Sequence, residues 1–179
     1  MRLADIIEQW QIEQDWQGQL ERDEAQQTAT MECGYRIREQ MFTLYLETDE
    51  KRDWLGIYLY APFNALEHKQ SECALLCNAL DARRLIGSLY VLPNGRICYQ
   101  QTIDVEDIAV SSAMISSLVQ QAGDYFFSWL DEIAAVALTE ATAEEVLGPL
   151  DQEEEEEEEV ESEPTEEVPN ESPEDARLH

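Results

Sequence analysis

The chain has 179 residues, of which 40 are acidic and 11 basic, for a net charge of −29; that length fits one domain with an appendage. So negative a surface repels phosphate backbones and excludes nucleic-acid binding by charge neutralisation, while leaving basic proteins as candidate partners. No apolar run approaches the ~20 residues of a membrane span and Met1 to Trp16 lacks the apolar core of a signal peptide, so the expected address is the cytoplasm, with no membrane partner and with Cys33, Cys73, Cys77 and Cys98 as reduced thiols.

In chain order, Leu3, Ile6, Ile7 and Trp10 recur at helical spacing and predict an amphipathic helix over about Leu3 to Gln17. Gly18 to Gln27 is polar and reads as a connection. A strand over about Thr28 to Arg36 is weakened by Gly34. Phe42, Leu44 and Leu46 then alternate with Met41, Thr43, Tyr45 and Glu47, and Leu55, Ile57 and Leu59 alternate with Trp54, Gly56, Tyr58 and Tyr60. Both are strand patterns, the second stopped by Pro62. Leu66, Cys73, Leu76, Cys77 and Leu80 restore helical spacing over about Asn64 to Ala82. Two more strands, Ser88 to Leu92 and Arg96 to Val105, are joined through Asn94-Gly95, a pair that tolerates the positive φ of a tight hairpin. A long final helix, capped by Ser111 or Ser112, carries Ile115, Leu118, Val119, Ala122, Phe126, Trp129, Ile133 and Ala137 on one face, with Gly123 as a candidate bend. The order α-β-β-β-α-β-β-α lacks β-α-β alternation, so the expected fold is α+β, an antiparallel sheet backed by helices.

The helical pattern stops at Gly148, which sets the domain at residues 1–148 and an acidic tail at 149–179. From Asp151 onward there are 15 acidic residues and one basic residue, Arg177, leaving 25 acidic and 10 basic before them. The net charge thus divides into −14 on the tail and −15 on the rest, so the acidity belongs to the whole chain. Seven consecutive glutamates and almost no apolar side chains predict a disordered tail, because too little surface is available to offset the entropy of ordering.

Three segments in this order resemble the YbjN family: Leu75-Leu76-Cys77-Asn78-Ala79-Leu80, then Ile86-Gly87-Ser88-Leu89-Tyr90, then Asn94-Gly95-Arg96-Ile97-Cys98-Tyr99. Pro62 after the third expected strand also fits, and the likeness runs over about Phe42 to Leu138. The resemblance implies a fold like that of type III secretion chaperones and the role of a bacterial sensory transduction regulator or chaperone-like binder, with no catalytic residues to transfer.

The chemistry-bearing residues agree with that absence. Cys73 and Cys77 share a helix face, but two further metal ligands are wanting, so they read as small apolar packing residues. His68 lies on the polar side of its helix without a readable base–nucleophile arrangement. No calcium loop or phosphate-binding glycine loop occurs, and no cofactor is expected. Trp10 and Trp129 fall on apolar stripes and read as core, whereas Trp16 and Trp54 flank polar loops and are candidate partner anchors. Leu75, Leu76, Ala79 and Leu80 are the candidate seam of a homodimer. The expected function is therefore a non-enzymatic cytoplasmic regulator or adaptor acting through protein partners; the alternative is an acidic-tail protein that sequesters basic partners, with the domain as carrier.

Overall fold

Side chains of a strand point to alternate faces, and in this chain one alternate set after another is apolar. The computed structural model describes residues 2–83 and 86–148; the expected polyacidic tail lies outside them. Six strands form one antiparallel sheet: β1 (Gly18–Asp23), β2 (Thr28–Ile37), β3 (Gln40–Asp49), β4 (Trp54–Asn64), β5 (Ser88–Val91) and β6 (Arg96–Asp104), in the order β1-β2-β3-β4-β6-β5. The named helices are α1 (Arg2–Glu13), α2 (Gln70–Asp81), α3 (Ser112–Ser128) and α4 (Leu130–Leu138), with a single 3-10 turn at Glu67–Lys69 ahead of α2 and further helical residues at 143–148. The α+β class and the helix-backed antiparallel sheet are as the sequence predicts.

Met31 and Cys33 of β2, Phe42, Leu44 and Leu46 of β3, Leu55, Ile57 and Leu59 of β4, Leu89 of β5 and Ile97 and Tyr99 of β6 form the buried face. Against it pack Leu3, Ile7 and Trp10 of α1, Leu76 and Leu80 of α2, Ile115, Val119 and Phe126 of α3 and Ile133 and Val136 of α4. Phe42 and Phe126 meet edge to face at 5.4 Å, joining the middle of the sheet to α3. Polar contacts fix the outer helix. The Glu50 carboxylate accepts from the free amides of Leu3 (2.7 Å) and Ala4 (3.2 Å) at the start of α1. The Trp10 indole donates to Ser116 of α3 at 2.9 Å, and Arg22 of β1 pairs with Asp5 and Glu8. At the other end, Lys69 donates to the Ala141 carbonyl at 2.6 Å and Glu72 accepts from the Ala143 amide at 2.8 Å, so residues 141–143 are fastened beside α2.

The structure departs from expectation at several places, and the first helix ends at Glu13 rather than near Gln17. Gly18 to Gln27 contains β1, an edge strand whose single apolar residue, Leu20, gives no period-two signal. The strand broken by Gly34 is continuous, because the Met41 side chain fills the space above that glycine, with its sulfur 3.1 Å from where a Cβ would stand. Pro62 does not end β4; the ladder to β6 slips between Tyr60 and Asn64, and a residue without an amide proton is accommodated in that irregular stretch. The second helix starts at Gln70 rather than near Asn64, which belongs to β4. The last helix is two, separated at Trp129 (φ −113°, ψ 10°), and Ser111 rather than Ser112 caps its first half by accepting from the Met114 amide.

Gly123 is therefore not a bend. It lies inside α3, and a Cβ there would stand 2.7 Å from the Tyr35 ring, which in turn packs on Trp16 at 5.4 Å. Glycine is kept at some cost in helix propensity, about 1 kcal/mol relative to alanine, because α3 approaches β2 closely at that point. Gly123→Ala is expected to lower the urea midpoint, since overpacking costs roughly 1–3 kcal/mol and outweighs the propensity gain; a raised midpoint would show that Tyr35 yields freely.

Candidate protein-binding surface

All the core side chains point to the helical side, so the other face of the sheet has no covering layer among the described residues. Its occupants are the alternate sets: Thr30, Glu32 and Gly34 of β2, Thr43, Tyr45 and Glu47 of β3, Trp54, Gly56, Tyr58 and Tyr60 of β4, Tyr90 of β5, and Arg96, Cys98, Gln100 and Thr102 of β6. The antiparallel register sets Tyr45 opposite Tyr58, and flanks Cys98 with Tyr60 on one side and Tyr90 on the other. Tyr45 and Tyr60 meet edge to face at 5.5 Å, and the Arg96 guanidinium lies 3.8 Å over the Tyr60 ring.

These rings are half-buried, yet the strand backbone beneath them is covered: Gly56 and Cys98 have almost no exposure. Gly56 has a local reason. A Cβ at that position would stand 2.9 Å from both the Trp54 and Tyr58 rings, so the absence of a side chain lets the two close over the strand. The hydroxyls face polar neighbours: Tyr58 faces Glu47, Tyr45 faces Glu32 and Arg96, and Tyr60 and Tyr90 face the Cys98 sulfur. Burial, aided by the Glu47 charge, pushes the Tyr58 hydroxyl up to about 12; burial, with Cys98 adding to it, does the same for Tyr60 to about 12 and also raises Tyr90. Burial raises Glu47 as well, against the opposing influence of the Tyr58 hydroxyl, and lifts the Cys98 thiol to about 11. At neutral pH the face thus presents protonated phenols, an indole and glutamates, which suits recognition rather than proton transfer.

Of the residues singled out in the sequence, Trp54 belongs to this face, while Trp16 is a half-buried member of a cluster with Trp10 (4.7 Å) and Tyr35 (5.4 Å). The expected dimer seam on the second helix needs correction. Leu76 and Leu80 are wholly buried against the sheet and Ala79 is half-buried, so only Leu75, 62% exposed, is free to meet another chain. Helical periodicity explains this, since Leu76 and Leu80 share the core stripe with Cys73 and Cys77. The remaining tyrosines of the face, Tyr45, Tyr58, Tyr60 and Tyr90, did not stand out in the sequence, although the alternation that assigns Leu44, Ile57 and Leu59 to the core assigns the first three to the opposite side.

The four cysteines are buried and free, and the neighbouring Cys73 together with burial pushes Cys77 far up. His68 is exposed, its Nε2 4.0 Å from Glu140. Among the described residues no group of histidine, cysteine and carboxylate side chains could hold a metal ion, and no helix is long and apolar enough to cross a membrane.

The model of the YbjN family, described as "Putative bacterial sensory transduction regulator", matches residues 3–135 and so takes in α1 to most of α4. Among solved structures, the chain is similar to YbjN of E. coli at 14% identity and a TM-score of 0.51, covering 73% of this chain and 90% of that one. A further likeness, to a chain of the HopA1–SchA chaperone–effector complex, has 16% identity and a TM-score of 0.49, with 72% and 93% covered. No curated protein matches. At such identities the first likeness concerns the fold alone.

The phenols give the face a pH signature. Their folded-state ionisation lies above the ordinary tyrosine value near 10, so the folded chain favours the protonated form. That contribution is whole below pH 10 and is lost as pH rises through about 12. Urea unfolding across this range should show falling stability, with tyrosinate absorbance lagging that of the unfolded chain, and Tyr58→Phe should flatten part of the fall. A variant with the same pH profile as the parent would remove Tyr58 from the account.

Proposed function

We propose, since the chain belongs to the YbjN family, that it is a non-enzymatic cytoplasmic regulator or chaperone-like adaptor that acts by holding a protein partner. The observation that carries this reading is the sheet face with Trp54, Tyr45, Tyr58, Tyr60 and Tyr90 half-exposed and uncovered. Tyrosine and tryptophan supply large contact area with few rotatable bonds, which is why they dominate binding hot spots. Residues that only cap a core leave no such continuous patch across four strands. A homodimer is compatible with the exposed Leu75 and Ile12, but the tyrosine face is the better-supported contact.

A second reading rests on charge. The 15 acidic residues from Asp151 to the end can attract basic proteins by themselves, with the domain as carrier. Affinity capture from native lysate separates the two. Full-length protein and a form lacking residues 151–179 are expected to retain the same partner, and Tyr58→Ser with Trp54→Ala is expected to lose it while circular dichroism stays native. Capture that survives the face variants and disappears with the tail would reverse this conclusion.

A further inference from the structure

The uncovered face is not uniform in charge. Across the strands, Gln19, Glu32, Tyr45, Tyr58 and Gln100 form one row, and Glu21, Thr30, Glu47, Gly56 and Thr102 form the next. Glu21, Glu32 and Glu47 therefore alternate diagonally on β1, β2 and β3, beside the rings of Tyr45, Tyr58 and Trp54. Among the described residues no salt bridge engages any of the three; the Tyr45 and Tyr58 hydroxyls face Glu32 and Glu47. A groove of about 440 Å³, lined by Gln19, Glu21, Thr30, Glu32, Gly34 and Tyr45 among others, runs over β1 to β3. A second, of about 280 Å³, shares Thr30 and continues past Glu47 to Trp54 and the exposed Arg52, whose Nε is 3.6 Å from Asp49. The trough thus crosses from the sheet edge to the aromatic cluster.

What this surface accepts is shown by the chain's own cation. Arg96 lies over the Tyr60 ring with the Tyr45 hydroxyl beside it, so a guanidinium sits here on a ring face next to a phenol. Rings recur along β4 at Tyr58 and Trp54, there joined by carboxylates of the neighbouring strands. Building on the proposed role of the face in protein binding, we propose that the trough takes an extended segment of a partner protein bearing lysine or arginine at alternate positions. Same-side residues of an extended chain repeat every ~6.6 Å, close to the ~7–8 Å diagonal between side chains on neighbouring strands, so successive cations of one segment reach Glu32 and Glu47 together. A second copy of the face brings glutamates against glutamates, and a nucleic acid brings phosphates against them.

The probe is a dye-labelled peptide alternating arginine with threonine, with glutamine-for-arginine and glutamate-for-arginine counterparts, each carrying a photo-crosslinker and titrated against the full chain. Only the arginine peptide is expected to bind, cross-linking to residues 43–60, with about fivefold weaker affinity for the isosteric double variant Glu32→Gln, Glu47→Gln, equivalent to about 1 kcal/mol. Tyr58→Ser should weaken it as well. Binding unchanged by both variants and cross-linked to residues 151–179 would overturn the proposal in favour of the tail. Equal binding of the glutamine peptide, sensitive to Tyr58→Ser and not to the glutamate changes, would overturn the preference for cations while leaving the face as a binding surface. No binding by any peptide overturns it too, and the lysate capture with Tyr58→Ser and Trp54→Ala then decides the broader reading independently.

Discussion

A six-stranded sheet has two faces, and the described helices of this chain are all used on one of them. Phe42 against Phe126, Leu3, Ile7 and Trp10 beside β1 to β3, and Leu76 and Leu80 beside β5 close that side to water. Because strand side chains alternate strictly, each residue given to this core sends its neighbours to the opposite side. Among the described residues the other face has no second layer and must be stable in water without one. Tyrosine solves that problem, with a ring large enough to shield backbone and a hydroxyl that meets polar neighbours. Tyr58, Tyr60 and Tyr90 cover Gly56 and Cys98 in this way, and the raised ionisation of their hydroxyls follows from the same cover.

That division of labour also separates fold from function. The helical side is fastened by contacts distant in sequence: Glu50 at the start of α1, Trp10 on Ser116, Lys69 on the Ala141 carbonyl. Such contacts tie the helical layer together and to the sheet across long stretches of sequence. The uncovered face is held from beneath and is available from above. A surface with a rigid floor and half-exposed rings suits a partner whose segment lies down on it, because the cost of ordering falls on the partner alone.

The elements legible in the sequence were those with strong periodicity. β3 and β4 show apolar residues at every second position, and the Asn94-Gly95 turn announces the β5–β6 hairpin. β1 could not be read because an edge strand with one apolar residue has neither period nor composition to mark it. The break at Trp129 was hidden because the apolar stripe continues in register from α3 into α4, so burial gives no sign of the change in backbone direction. Gly34, Pro62 and Gly123 misled for a common reason: local punctuation yields to tertiary packing when a neighbouring side chain, or an irregular stretch of ladder, accommodates it. Of the candidate site, Trp54 was visible from its place beside a loop. The tyrosines around it were on the page as the complement of the core pattern, but which complement is covered by a second layer depends on where every helix goes, and that is a property of the whole fold.

Gly56 carries a consequence for reading other chains. With no side chain there, Trp54 and Tyr58 close over the strand; with even a methyl group, one ring must lift. The spacing Trp54-x-Gly56-x-Tyr58-x-Tyr60 is therefore a compact fingerprint for this construction of the face, readable without coordinates. A related chain that keeps the core alternation and replaces the glycine retains the fold and builds its outer face by different means, so the one position sorts relatives by surface while the rest of the strand sorts them by architecture.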